Sequence, residues 1–136
     1  MDKVRFIKST VKTETYRGRL LVVRYAHYEA PEYIKQNFDE IMRPWYCGYA
    51  EVLPSDGINL SGKGAYWDYD NVIEAPGGIT FSGELSEFPQ KKVLGFDTNH
   101  PQFEDSPIDA NWILEQCRTM ADDIARYAAS HGKHPF

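Results

Sequence analysis

The sequence predicts an α+β fold, in which a mainly antiparallel sheet is covered by one long C-terminal helix and a short helix. Three observations lead to this prediction. The first 28 residues alternate charged and apolar side chains around a glycine turn, which is typical of a β-hairpin. Residues 107–131 carry one apolar stripe at helical spacing. Glycines and prolines divide the middle into pieces too short for long helices.

Length and charge limit the classes of function. The chain has 136 residues, which suits one hydrophobic core and is too short for two substantial ones. We therefore expect a single domain over residues 1–136. A formal net charge of -5 disfavours general nucleic-acid binding. The first 24 residues are nevertheless basic. Two interpretations stay open for them, a solvated hairpin or a local binding surface.

The expected compartment follows from what the sequence lacks. No stretch approaches membrane-spanning length, and the N-terminus has charges where a secretory signal has an apolar core. Cys47 and Cys117 lie among apolar neighbours and are expected to be buried thiols. We therefore predict a cytoplasmic protein in a reducing environment, and expect no cofactor and no membrane partner.

The first elements are a hairpin over residues 3–28 and a short helix between Glu29 and Met42. Arg17 and Gly18 supply the hairpin turn, because glycine tolerates the positive φ that tight turns require. Apolar residues at roughly helical spacing after Pro31 predict that the short helix packs on the sheet.

A third strand is predicted from Trp45 to Leu53, with Gly48 marking a bulge or a close approach of backbones. Residues 54–83 form a glycine-rich, irregular middle. Further short strands are predicted at Val72 to Ala75, Ile79 to Ser82 and Val93 to Phe96, with turns at Pro76-Gly77-Gly78 and around Pro89.

The C-terminal helix is expected over residues 107–131. Ser106 is the predicted N-cap, Pro107 suits the first helical position, and Asp109 complements the helix dipole. The apolar stripe consists of Ile113, Cys117, Met120, Ile124, Tyr127 and Ala128. One face of an amphipathic helix would bury this stripe against the sheet.

One segment partly matches a phosphate-binding loop. Residues 57–64 follow that motif up to Lys63, but Gly64 stands where the motif needs Ser or Thr for magnesium. Nucleoside-triphosphate hydrolysis is therefore disfavoured. The glycine amides with Lys63 could still contact a smaller phosphate group.

Acidic residues and a histidine suggest two further sites. Asp68 and Asp70 would share one face of a strand, where they could bind a divalent cation or stay solvated. Asp97 and His100 directly follow a predicted strand, and a histidine near a carboxylate can act as acid, base or metal ligand. The same residues are also typical of a capped turn.

Aromatic residues crowd the middle of the chain. We expect core packing for Trp45 and Phe96. Tyr66, Trp67 and Tyr69, in contrast, are predicted to bind a ligand, because such rings stack on flat molecules while keeping a polar group available. The predicted ligand-binding set consists of Tyr66, Trp67, Tyr69, Lys63, Gly77, Gly78, Asp97 and His100.

Three segments carry short glycine and aromatic motifs: Trp45 to Val52, Asn71 to Ser82 and Gly95 to His100. They resemble a family of small uncharacterised proteins encoded by bacteriophages and prophages, and the resemblance covers roughly residues 45 to 130. Family members have a Trp-Cys-Gly-Tyr-Val strand, a His-Gly-Gly-Leu-Thr turn, a Gly-Phe-Asp-x-x-His segment and a terminal helix. The matching positions are Gly48, Gly77, Gly78, Asp97 and His100.

Pro76 departs from that family, because it stands where the family usually has histidine. The resemblance therefore implies phage origin more firmly than activity. The first functional hypothesis is a non-enzymatic, phage-derived protein of the host cytosol that sequesters a nucleotide-like molecule or blocks a host protein, as a host-defence inhibitor would. The alternative is a small metal-dependent hydrolase that uses Asp97 and His100 with carboxylates from Asp68 or Asp70. Whether the chain forms a homo-oligomer stays open.

Overall fold

A computed structural model of the protein describes residues 4–37, 43–60, 69, 72–103 and 107–131. Five strands and two α-helices are given bounds within these residues. In chain order they are β1 (Arg5–Tyr16), β2 (Arg19–Glu29), α1 (Glu32–Asn37), β3 (Trp45–Val52), β4 (Phe81–Leu85), β5 (Phe88–Asp97) and α2 (Ala110–His131). The strands form one antiparallel sheet in the order β1-β2-β3-β5-β4. This architecture confirms the predicted α+β fold.

The N-terminal hairpin turns where the sequence predicts it. Tyr16 pairs with Arg19, and the two residues between them have positive φ, 51° at Arg17 and 82° at Gly18. Positive φ at both central residues matches the right-handed twist of the flanking strands. The register shifts once, between Thr10 and Lys12.

Helix α2 buries the predicted stripe against one face of the sheet. Ile113, Cys117, Met120 and Ile124 are all fully buried, and they pack with Leu21, Val23, Ala50, Leu94 and Phe96 of the strands. The helix begins at Ala110, later than expected. Asp109 acts as the N-cap, since its carboxylate accepts a hydrogen bond from the Trp112 backbone N–H at 2.8 Å. Ser106, the predicted N-cap, lies outside the described residues.

Gly48 marks a close approach, as predicted, and sits in regular pairing opposite Phe96. A β-carbon at Gly48 would lie 2.6 Å from the Phe96 ring and 2.8 Å from Sγ of Cys117. Only glycine therefore lets helix α2 and the Phe96 ring meet over strand β3.

Two predictions for the middle of the chain are wrong. Residues 72–75 are a turn and an irregular segment instead of a strand. Pro89 lies within β5 instead of in a turn, and the chain reverses just before Phe88. Proline is tolerated there because β3 pairs with β5 only from Lys92 onwards, so no ladder bond needs the missing N–H.

The short helix forms, but it contributes little to the core. It spans Glu32–Asn37 within the predicted range 29–42, and none of its residues is buried. Tyr33 is 53% exposed. Within the described part of the chain, almost all the helical cover on the sheet therefore comes from α2.

The second face of the sheet has a small core of its own. Val22, Cys47, Tyr49, Leu85 and Val93 are buried together there. The β4–β5 hairpin curls over this face, because the hydroxyl of Thr10 on β1 donates a hydrogen bond of 2.7 Å to Glu87 at the hairpin tip. The sheet is thus strongly coiled, with its two ends brought together over Val22 and Tyr49.

Most N-terminal cations are paired with acids from elsewhere in the chain. The ion pairs of these N-terminal cations are Arg5 with Glu29, Arg17 with Asp122, Arg19 with Asp56 and Arg24 with Glu87. Arg19 and Asp56 form a buried pair, and Asp56 also accepts a hydrogen bond from the Leu53 N–H. These four arginines therefore have acidic partners within the chain, and the pair of Arg19 with Asp56 is the one in which both side chains are buried.

Both cysteines are free and buried, as expected. Among the described residues, no helix combines the length and the apolar character needed to span a bilayer.

Candidate functional site

The predicted turn at Pro76-Gly77-Gly78 is present and carries the first part of the site. The N–H of Gly78 donates a hydrogen bond of 2.9 Å to the carbonyl oxygen of Ala75. Gly77 and Gly78 have φ of 73° and 91°, a region that favours glycine.

His100 lies directly against this turn. A β-carbon at Gly77 would be 2.9 Å from Cδ2 and 3.2 Å from Nε2 of the His100 ring. The absence of a side chain at Gly77 therefore provides the space that the imidazole occupies. The structure thus brings together Gly77 and His100, which lie far apart in the sequence.

Asp97 ends strand β5 and organises the loop that leads to His100. One carboxylate oxygen accepts a hydrogen bond from the backbone N–H of Asn99, and the other accepts one from the hydroxyl of Thr80, both at 3.0 Å. This pattern is the capped turn that the sequence suggested as the alternative to a functional role. His100 Nε2 is buried 3.4 Å from Oδ1 of Asp97, at ion-pair distance but without a hydrogen bond.

Thr98 fixes this loop to the sheet, a role that sequence reasoning missed. Its backbone N–H and its hydroxyl both donate to the carbonyl oxygen of Tyr46, at 2.9 Å and 3.1 Å. The Tyr46 N–H donates in return to the Thr98 hydroxyl oxygen at 3.1 Å. Thr98 therefore continues the β3–β5 pairing through its side chain and holds Asp97 and His100 in place.

A row of rings leads from His100 to helix α2. The centroid of His100 lies 6.1 Å from that of Phe103, which lies 6.5 Å from that of Trp112 on the first turn of α2. Sequence reasoning did not identify Phe103 or Trp112. Their only sequence signal is that they flank the predicted helix start.

An open groove of about 550 Å³ lies between the glycine turn and helix α2. Its lining residues are Glu74, Ala75, Pro76, Gly78, Gln102, Phe103, Trp112, Gln116 and Thr119. The described lining contains aromatic rings, amides and one carboxylate, and no lysine or arginine. Such a surface suits a flat molecule with hydrogen-bonding groups better than it suits a phosphate.

Asp123 on α2 holds one wall of this groove. Its side chain is buried, and one carboxylate oxygen accepts a hydrogen bond from the Glu74 N–H at 2.9 Å. The other oxygen pairs with Arg126 at 2.6 Å. Because the bond to Glu74 joins the glycine turn to the helix, Asp123 positions the groove.

The remaining predicted ligand-binding and metal residues divide into two groups. Tyr69 is buried in the core, where its hydroxyl accepts a hydrogen bond of 2.9 Å from the Asn59 N–H and its ring meets Tyr127 edge to face. The Tyr69 ring is therefore used in packing, and its contact with a ligand stays a prediction. Lys63, Tyr66, Trp67, Asp68 and Asp70 lie outside the described residues.

Asp97 and His100 supply two potential metal ligands side by side. Among the described residues, no third histidine, cysteine, aspartate or glutamate joins them in a group that could hold a metal ion. The proposed third ligands, Asp68 and Asp70, are outside those residues, so the metal-site hypothesis stays a prediction.

A second cavity, of about 390 Å³, lies at the opposite end of β5 and includes Val52, Leu53 and Lys92 in its lining. Neither this cavity nor the groove beside α2 includes Asp97 or His100 in its described lining.

Comparison with known proteins found no matching family model, no matching curated protein and no matching solved structure.

Proposed function

We propose that this chain is a non-enzymatic binding protein whose ligand is a flat, hydrogen-bonding molecule of the nucleobase or nucleoside class. The groove between the glycine turn and helix α2 is the observation that carries this proposal. Its volume of about 550 Å³ falls in the range of small-molecule pockets. The absence of cations from its described lining favours the base over the phosphate of a nucleotide-like ligand.

The hydrogen bonding of Asp97, which is outside the described lining of the groove, also favours binding over hydrolysis. Both oxygens of Asp97 accept hydrogen bonds within the protein, from Thr80 and from Asn99. A carboxylate used in this way orders a loop and is poorly placed to act as a free base. On the phage resemblance, we further propose that the ligand belongs to the host and is withdrawn by sequestration in the host cytosol.

Calorimetric titration with adenosine, guanosine, cytidine and uridine tests this proposal. We expect at least one nucleoside to bind, and we expect Trp112→Ala to weaken that binding at least tenfold, since base–aromatic stacking contributes about 1–3 kcal/mol. Glu115→Ala is the matched control, because Glu115 lies on the same helix but is exposed and outside the groove. Failure of all four nucleosides to bind, or equal effects of the two variants, would contradict the proposal.

The metal-dependent hydrolase remains the alternative, because Asp97 and His100 lie within 3.4 Å of each other. Elemental analysis of the purified protein, beside its His100→Ala variant, tests it directly. A stoichiometric divalent ion that the variant loses would favour the hydrolase. Equal metal content in both proteins would count against it.

A further inference from the structure

A strip of aromatic and basic side chains lies on the second face of the sheet, the face that α2 does not cover. Strand pairing places Phe6 and Lys8 of β1 beside Tyr28 and Ala26 of β2, and Ala26 beside Trp45 of β3. One pair further along, Thr10 lies beside Arg24. The strip therefore has rings at one end and a hydroxyl and a guanidinium at the other.

The aromatic end is open to solvent. The rings of Phe6 and Trp45 stack with centroids 5.6 Å apart, and the Tyr28 ring lies 5.3 Å from that of Phe6. Phe6 is 50% exposed. A ring of this kind presents its outer surface to a flat ligand at little cost, because the cluster is already ordered by its own contacts.

The basic end already holds a carboxylate of the protein itself. Glu87 accepts a hydrogen bond of 2.7 Å from Thr10, and its oxygen lies 3.4 Å from Nε of Arg24. That nitrogen is buried, and no hydrogen-bond acceptor among the described residues satisfies it. Glu87 thus occupies a carboxylate position without fully satisfying the cation.

Arg24 is held in place independently of Glu87. Its side chain is only 15% exposed, and Nη2 donates a hydrogen bond of 3.2 Å to the carbonyl oxygen of Lys8. The Glu87 side chain is 42% exposed. An ion pair with so exposed a partner contributes little to stability, so an external anion can displace Glu87 at low cost.

Lys8 connects the two ends of the strip. Its ammonium group lies 5.9 Å from the centre of the Tyr49 ring. Burial raises the pKa of the neighbouring Cys47 thiol, and the positive charge of Lys8 opposes that increase. Asp97 also lies next to Cys47 on this face, but its carboxylate oxygens accept hydrogen bonds from Thr80 and Asn99.

We propose that this strip is a binding site for a planar aromatic anion, with its ring on Phe6 and Trp45 and its carboxylate or phosphate in place of Glu87 on Arg24 and Thr10. The site is separate from the groove beside α2. In this arrangement the β4–β5 hairpin tip is a built-in competitor, which the ligand displaces. The shared ligand chemistry is a flat ring with one anionic group.

Calorimetric titration with indole-3-acetate and with adenosine 5′-monophosphate tests the site and separates carboxylate from phosphate ligands. The full chain carries Trp112→Ala in this experiment, so that nucleoside binding in the groove beside α2 does not contribute. Tryptamine and adenosine are the matched probes that lack the anion. We expect at least one anionic probe to bind and its partner to bind at least tenfold more weakly. Equal binding of both members of each pair would overturn the proposal.

Variants with opposite expected effects distinguish this site from a general loss of folding. Glu87→Gln should tighten binding about threefold, because it removes the weak ion pair that the ligand otherwise has to break. Arg24→Gln should weaken binding at least tenfold, because it removes a charge-assisted hydrogen bond. Glu84→Gln is the matched control, since Glu84 lies on the same hairpin but pairs with Lys92.

If Arg24→Gln does not fold, Lys8→Met provides the same test at the second cation. Weaker or unchanged binding in Glu87→Gln would overturn the proposal whatever the other variants show. Trp112→Ala should leave this binding unchanged, so that failure here and failure of the groove hypothesis remain separate results.

Discussion

Replacing Gly77 by alanine tests how closely the glycine turn and His100 depend on each other. Alanine at a positive φ costs about 1–2 kcal/mol, partly offset by about 0.4–1 kcal/mol from the less flexible unfolded chain. At Gly77 the new β-carbon would also lie 2.9 Å from Cδ2 of His100. Moving that ring off its rotamer adds about 0.5–1.5 kcal/mol. We therefore expect Gly77→Ala to lower the free energy of unfolding by about 2 kcal/mol.

Gly18→Ala is the matched control for this prediction. Gly18 has a similar φ of 82°, but a β-carbon there would meet nothing within 4 Å. It should cost only about 1 kcal/mol, the backbone part of the effect. Urea unfolding followed by far-ultraviolet circular dichroism measures both values, and about 4 °C of melting temperature corresponds to each kcal/mol.

A double-mutant cycle completes the test. In the His100→Ala background the ring is gone, so Gly77→Ala should cost no more than Gly18→Ala. Equal losses for Gly77→Ala in the presence and absence of the His100 ring would refute the contact on which the candidate site depends. Equal losses for Gly77→Ala and Gly18→Ala in the otherwise unaltered chain would do the same.

Three further measurements test the packing around the site. Gly48→Ala should destabilise the protein by about 2–3 kcal/mol in urea unfolding, because the new methyl group overpacks against Phe96. In a Phe96→Leu background part of that loss should be recovered. No recovery would argue against the close approach of Gly48 and Phe96. Asp123→Ala should lower the free energy of unfolding by about 2 kcal/mol, because it leaves the Glu74 N–H unpaired. Asp123→Asn keeps an acceptor oxygen and should lower it by about half as much in the same assay. Equal losses for the two variants would contradict this role of Asp123. Burial raises the pKa of the Cys117 thiol from 9.0 to about 12, so the thiol of the unfolded chain ionises first and the free energy of unfolding should decline as the pH rises from 9 towards 12. Cys117→Ala should flatten that decline by up to about 1.4 kcal/mol per pH unit. An unchanged slope would exclude this thiol as its cause.

The candidate site was predictable where its residues are adjacent in sequence and hidden where they are not. Gly77 and Gly78 predict a turn because glycine alone favours their positive φ, and Asp97 predicts a capped turn at a strand end. Phe103 and Trp112 carry no comparable signal, because a ring looks the same in sequence whether it fills a core or lines a groove. Tyr69 is the opposite case, since the sequence predicts its ring in a ligand site and the structure buries it in the core.

Local chemistry alone determined the α+β class, the turn at Arg17 and Gly18, and the buried stripe of α2. Hydrophobic periodicity and the φ preferences of glycine act over a few residues, so they can be read directly from the sequence. Only the tertiary structure decided which distant groups meet: Thr10 with Glu87 over the coiled sheet, Arg19 with Asp56 in the interior, and Gly77 with His100 at the site. Those contacts depend on sheet order and coiling, which the whole chain sets together and no single segment specifies.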